Sequence, residues 1–198
     1  MDLRSLARCA LRRENVFDAF CAAISDARAT DLRGLKRATR AIGDAWEAFC
    51  CAYLNERSHE ARVLSDAPDD WLRELGMSRR DVGIDIVARD PSGNWCAVQC
   101  KFRRRGRVSW RELATFEALC ARTGPWHRHV VMTNQSGVRR EGEARPQDAT
   151  YARGSFLAMP RHEWEKLAGY GEGHALGGAP TSMDDARRAF LDRLARSE

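Results

Sequence analysis

Asp81-Val-Gly-Ile-Asp-Ile-Val-Ala-Arg-Asp90 and, after the turn Pro91-Ser-Gly-Asn94, Trp95-Cys-Ala-Val-Gln-Cys-Lys101 decide the fold of this chain. Short apolar runs on either side of a Pro/Ser/Gly/Asn turn predict a β-hairpin, with strands near 82–88 and 95–102. Side chains two apart on a strand share a face. Gln99 and Lys101 therefore point one way, and Val98 and Cys100 the other. With ordinary register, Asp85 on the first strand meets Gln99 and Lys101 at one end of the hairpin. A carboxylate, an amide oxygen and an ammonium on one patch can hold a divalent cation and an activated water, the chemistry of phosphodiester cleavage. Asp81 and Asp90 are weaker candidates, since one precedes the strand and the other sits in the turn.

Upstream of the hairpin, Ala38, Ile42, Ala45, Trp46, Phe49, Ala52 and Tyr53 recur at three- and four-residue spacing. They predict a helix from about Asp31 or Lys36 to Asn55 with one apolar stripe. Glu47 lies about 100° around that helix from Trp46, at the stripe's edge, where a carboxylate can look into a cleft beside a sheet. An early strand is expected near Ala61–Leu64, then the acidic loop Asp66–Asp70 and a short helix at Trp71–Leu75. Downstream, the basic segment Arg103-Arg-Arg-Gly-Arg107 leads to a helix near 109–122, whose Ser109 and Glu112 fit a capping box. A strand follows at about 128–133, then a loop rich in Gly, Arg and Glu to about 150. His127 and His129 flank that strand with no paired acid or cysteine spacing and read as structural.

The ends of the chain read as helical. Residues 1–30 place Leu3, Leu6, Ala10, Val16, Phe17, Phe20 and Ile24 at core spacing, decorated by Arg4, Arg8, Arg12 and Arg13. Ser155–Met159 predicts an edge strand, Pro160–Leu167 a helix, and Gly169–Gly178 a flexible loop. Met183–Ala195 predicts an amphipathic helix with a cap at Thr181 or Ser182. Helix, hairpin, helix, strand is an α/β order: a mixed central sheet flanked by helices.

With 198 residues, 43% of them hydrophobic, there is material for one packed core plus extra helices. The net charge is +5, the pI about 9.0 and the excess mostly Arg, which suits bidentate contacts to phosphate. Net charge alone does not make a nucleic-acid binder. The seven cysteines form no Cys-x-x-Cys pair and no zinc-site spacing with His, so they read as reduced thiols of an intracellular protein. No 18-residue apolar segment and no signal peptide are visible. We therefore expect a soluble intracellular protein, in the cytoplasm or, in a eukaryotic host, the nucleus, with no membrane partner.

Gly83-Ile84-Asp85 and Gln99-Cys100-Lys101-Phe102, with Gly43-Asp-Ala-Trp-Glu47 upstream and His129-Val-Val-Met-Thr-Asn134 downstream, resemble the PD-(D/E)xK nuclease superfamily. The resemblance is to its branch in which Gln replaces the middle acid. It is nearest to Mrr-like restriction endonuclease domains and to the similar domains that precede helicases in some large DNA viruses. It spans about residues 36–135. It implies a restriction-endonuclease-like core at 36–150, with helical extensions at 1–35 and at 151–198, the latter packed on the core. It also implies a metal-dependent DNA endonuclease. Asp85 corresponds to the family's metal-binding aspartate, Gln99 and Lys101 to its Gln-x-Lys, and Glu47 to a first-helix glutamate that faces the metal site.

On that reading Mg2+, with Mn2+ as substitute, takes oxygen from Asp85, from the Cys100 backbone carbonyl and, through a water, from Glu47. Gln99 offers only a neutral amide oxygen. Weaker metal affinity and one catalytic ion rather than two follow from that. Lys101 orients or deprotonates the attacking water and stabilises charge on the phosphate. Arg103, Arg104, Arg105 and Arg107 seat the DNA backbone. Arg139 and Arg140, beside Glu141 and Glu143, are weaker candidates for the same task. Thr133 and Asn134 support Lys101 or a phosphate. Each residue also has an ordinary reading: Asp85 a strand end, Gln99 a sheet residue, Lys101 an edge guard, Glu47 a surface glutamate. Together, an acid and an ammonium within apolar strands are costly unless they pair or bind metal. The alternatives are a catalytically inactive DNA-binding or recruitment module of the same fold and a structure-specific nuclease such as a junction resolvase. A homodimer for double-strand cleavage, or a helicase or other DNA-processing protein, are the partners to expect.

Overall fold

The computed structural model describes residues 2–26, 32–80, 82–139 and 145–169. Asp81, Arg140, Glu141, Glu143, the loop beyond Gly169 and the predicted helix Met183–Ala195 lie outside them. Residues Met1–Ala168 form one compact unit. Its helices are α1 (Leu3–Ala10), α2 (Val16–Ser25), α3 (Leu32–Asn55), α4 (Asp69–Glu74), α5 (Ala114–Cys120), α6 (Arg153–Leu157) and α7 (Arg161–Leu167). Its strands are β1 (Glu60–Val63), β2 (Ile86–Arg89), β3 (Trp95–Lys101), β4 (Val108–Ser109), β5 (Arg128–Thr133), β6 (Val138–Arg139) and β7 (Asp148–Tyr151). Among the described residues no helix is long and apolar enough to cross a membrane.

The main sheet has five strands in the order β1-β2-β3-β5-β7. β1, β2 and β3 pair antiparallel, while β3–β5 and β5–β7 are parallel. Parallel neighbours need a crossover, and the β3–β5 connection supplies it with α5. This is the mixed, helix-flanked α/β sheet the sequence predicts. Alternation along the strands sorts two cores. Ile86, Ala88, Cys96, Val98, Cys100, Val130 and Met132 pack with α3 and the helices α1, α2, α6 and α7. Val87, Trp95, Ala97 and Val131 pack with α4 and α5.

The first core explains why short helices persist. Helices below about 12 residues are marginal alone in water, and α2, α6 and α7 are all shorter than that. They are held by an aromatic cluster in which Phe20–Phe49 and Phe49–Trp164 ring centroids lie 4.8 and 5.3 Å apart. Full burial of one such ring contributes about 1.5–3 kcal/mol, so two or more together exceed the roughly 3–4 kcal/mol that a short helix costs to nucleate. The N-terminal helical pattern is interrupted between Ala10 and Val16, where the Asn15 side chain caps α2 by accepting from the Asp18 N–H.

Ser155–Met159 is not an edge strand: Arg153–Leu157 is helix α6. The edge is already taken by β7, four residues without an apolar run that pair with β5. Phe156, freed from the sheet, turns into the aromatic cluster, 5.3 Å from Phe17 and 4.9 Å from Tyr53 between centroids. The segment to 150 likewise holds two strands rather than a continuous loop, β6 and β7. β6 forms a two-stranded sheet with β4. The helix expected at 109–122 begins as a tighter 3-10 turn at Trp110–Leu113, with the Ser109–Glu112 capping box in place.

Candidate active site

The hairpin carries Asp85 to the point where β2 ends against β3. Its N–H donates to the Val98 carbonyl at 2.9 Å, and its own carbonyl accepts from Leu64 N–H at 2.8 Å. Its carboxylate is half-buried between the strands. Oδ2 accepts the Cys100 N–H at 2.7 Å and a short hydrogen bond from the Gln99 amide nitrogen. Burial raises the Asp85 pKa, opposed in part by these donors and by the positive charge of Lys101. The bond from Gln99 assigns the amide: its nitrogen faces Asp85, which leaves its oxygen for another donor or a cation.

α3 brings Glu47 to the same place. Trp46 beside it anchors the helix on the sheet, its indole N–H donating to the Met132 carbonyl at 3.3 Å. Burial, with the negative charges of Asp85 and Asp44 and against the positive charge of Lys101, raises the Glu47 pKa from 4.5 to about 7. Asp85, Gln99, Lys101 and Glu47 are thus brought together. The motif glycine Gly43 sits one turn away, and a Cβ added there would meet Glu47 Oε1 at 4.0 Å, ordinary contact. Space alone does not demand a glycine at that position.

Two features of this patch favour a hard cation. Burial raises the pKa of both carboxylates and the charge of Asp85 raises that of Glu47 further, so the positive charge of a cation would relieve both. The thiols of Cys50 and Cys100 are buried in the core, and burial raises both pKa values. They stay protonated and are poor ligands for a soft metal. Among the described residues Lys101 makes no hydrogen bond or ion pair, which leaves its ammonium free. Cavities of about 350 and 600 Å3 lie elsewhere, one lined by Leu54, His59, Arg128 and Tyr151, the other by Phe17, Phe156 and Trp164. Neither includes a residue of this patch.

The basic segment divides. Arg103 is ion-paired with Glu112, and its backbone is clamped by Asn134, which accepts from its N–H and donates to its carbonyl, both at 2.8 Å. Gln135 donates to the same carbonyl at 2.7 Å. Arg104 donates to the Ser25 carbonyl at 3.3 Å. Arg105 and Arg107 are exposed and uncommitted among the described residues. Asn134 therefore holds the basic loop rather than Lys101. Thr133 is buried, its hydroxyl accepting from Gln135 N–H at 3.3 Å.

A second polar cluster escaped the sequence. Glu117 on α5, His129 on β5 and Asp148 on β7 place one ligand atom each within 4.8 Å of one another. The spacing 117, 129, 148 carries no motif, and only the β5–β7 pairing brings it about. The Arg145 guanidinium binds Glu117 and lies 3.2 Å from Asp148 and 3.4 Å from His129 Nδ1. A cation there would have to displace it. The cluster ties α5, β5 and β7 together, and it gives His129 the two acidic neighbours that the sequence spacing does not show.

A family model described as a restriction endonuclease, of the Mrr catalytic type, matches residues 59–167, just over half of the 198 residues. The match contains Asp85, Gln99 and Lys101 and begins after Glu47. No curated protein and no solved structure matches the chain.

Proposed function

Because the chain belongs to the Mrr-like restriction endonuclease family, we propose that it is a metal-dependent DNA endonuclease that hydrolyses phosphodiester bonds. One observation carries this reading: Asp85, Gln99, Lys101 and Glu47, scattered over α3 and the hairpin, converge on one patch with two mutually repelling carboxylates and one free ammonium. Domains of this family generally use divalent metals. Magnesium, or manganese in its place, would be held by Asp85, the Cys100 backbone carbonyl and Glu47, and would supply charge relief to the phosphate undergoing hydrolysis.

The chain's own residues do the rest. Cys100 N–H and the Gln99 amide fix the Asp85 carboxylate in one orientation. Gln99 spends its amide nitrogen on Asp85 and adds no further negative charge, which suits one metal ion rather than two. Lys101 donates to the attacking water and to a phosphate oxygen, so that water is aimed and charge developing on phosphorus is offset. Glu47, ionised above pH ~7, takes up a proton or orients a water. Arg105 and Arg107 bind the DNA backbone ahead of Arg103 and Arg104, which are already engaged.

Plasmid cleavage tests the proposal, with magnesium, with manganese and with EDTA, beside a Lys101→Ala variant. Metal-dependent nicking or linearisation that the variant loses is the expected result. No cleavage in either metal, with salt-sensitive DNA binding that Lys101→Ala leaves unchanged, would replace the enzyme by a DNA-binding module of the same fold.

A further inference from the structure

Of the six tryptophans, Trp110 alone is exposed, at 41%. Trp46, Trp95 and Trp126 donate their indole N–H groups to Met132, Glu74 and Thr123. Trp71 and Trp164 pack edge-on or stacked against Trp95 and Phe49. Among the described residues Trp110 has no ring contact, no cation above its face and no hydrogen-bond partner.

Its mounting is rigid. Ser109 precedes it in β4, paired to β6 with Ser109 opposite Arg139. The capping box closes the turn that Trp110 opens, with Glu112 accepting from Ser109 N–H at 2.9 Å and from its hydroxyl at 2.7 Å. β4 is the next element after β3, which ends at Lys101, and β6 the next after β5, which ends at Thr133, so the small sheet is tethered to the strand ends that carry Lys101 and Thr133. Helix α5, which follows the turn, presses its Thr115–Phe116 backbone against Gly83, two residues before Asp85; a Cβ on Gly83 would meet it at 3.0 Å. Arg105, Arg107, Arg111 and Arg139 lie on these same segments, all exposed and none committed among the described residues.

A bare indole face on a capped turn, with exposed guanidiniums on the neighbouring segments, fits a nucleobase whose phosphate the arginines hold, because every base has a π face and stacking is indifferent to its identity. Bases in an intact duplex offer no such face. Building on the nuclease reading, we propose that Trp110 stacks on an unpaired base, so that the site prefers DNA carrying a single-stranded or bulged nucleotide.

The test is binding in EDTA, where no cleavage intervenes, of three oligonucleotides: a single strand, a perfect duplex, and the same duplex with one bulged base. Tryptophan fluorescence and anisotropy are read on the whole chain and on Trp110→Ala and Trp110→Phe. The single strand and the bulged duplex should quench the fluorescence, and Trp110→Ala should lose roughly tenfold or more of its affinity for both. Trp110→Phe should keep most of it, and perfect-duplex affinity should change by less than about threefold, since phosphate contacts dominate there. Equal losses on all three DNAs, or none on any, would overturn the proposal, as would failure to bind DNA of any form. A chain that fails to cut plasmid but shows the discrimination loses the nuclease reading and keeps this one; a chain that cuts but does not discriminate does the reverse.

Discussion

Glu47→Gln should stabilise the metal-free protein at pH 8 and leave it nearly unchanged at acid pH. Burial, then the charges of Asp85 and Asp44, raise the Glu47 pKa from 4.5 to about 7. The folded protein therefore holds this proton more tightly than the unfolded chain. The stability it brings is fully present below pH 4.5 and is lost as the pH rises through about 7. At ~1.4 kcal/mol per pH unit, that interval bounds the loss at about 3.4 kcal/mol. Glu47 is only half-buried and water screens it, so about 1–2 kcal/mol is the reasonable expectation. Gln is isosteric and never ionises, so the variant avoids the loss. In a domain of this size ~1 kcal/mol moves the melting temperature by about 2–4 °C. Melting followed by circular dichroism in EDTA at pH 5, 6.5 and 8 should show the variant pulling ahead of the natural protein by about 2–8 °C at the top of that range. Magnesium at pH 8 should then raise the natural protein more than the variant, which has lost a ligand charge. Parallel pH profiles for the two proteins would refute the crowding of carboxylates from which the metal site is argued.

The arginine assignment predicts a difference in salt dependence. Arg105→Ala with Arg107→Ala should lower the slope of log affinity against log salt by about 0.9 per lost phosphate contact, hence about 2 in all. Arg103→Ala with Arg104→Ala should lower it less, because Glu112 and the Ser25 carbonyl already hold those side chains; equal effects in an anisotropy titration would count against the division. Gly83→Ala should destabilise by about 2–6 kcal/mol in urea unfolding, the sum of ~1–3 for strained backbone and ~1–3 for overpacking. Its φ is +120°, and the atoms in the way are backbone, 3.0 Å from the added Cβ; an unchanged urea midpoint would mean the Asp85 loop is not seated on α5.

What was legible in the sequence was what short-range periodicity encodes. The hairpin could be read from alternation and its turn, α3 from its apolar stripe, and β5 from its apolar run; with the family motif these pointed to Asp85, Gln99, Lys101 and Glu47 as the candidates. The misses occurred where pairing decides. Asp148–Tyr151 has no apolar run and is a strand because β5 presents an open edge to it. Phe156 looked like part of a strand, since a buried aromatic in a short apolar run fits either period. The Glu117–His129–Asp148 knot needs three elements in place before it exists. Arg103 illustrates the limit for charges: composition made it equivalent to Arg105 and Arg107, but only the fold shows Glu112 waiting for it.

Gln99 shows how the charge of the site and the stability of the fold constrain each other. Asp85 and Glu47 already repel, with Lys101 the cation acting on both. A glutamate at 99 would set a further carboxylate against Asp85 where the amide now donates to it. Like charges ~4 Å apart cost about 4 kcal/mol at an effective dielectric of 20, a large part of the 5–15 kcal/mol that typically holds a domain together. The amide turns that repulsion into a hydrogen bond. It would let the hairpin close without a cation, at the expense of a ligand charge that would hold a cation more tightly. Glu47, half-protonated near pH 7, would make the same compromise from α3: part of its charge is withheld near neutral pH, and a bound cation would draw the remaining proton away.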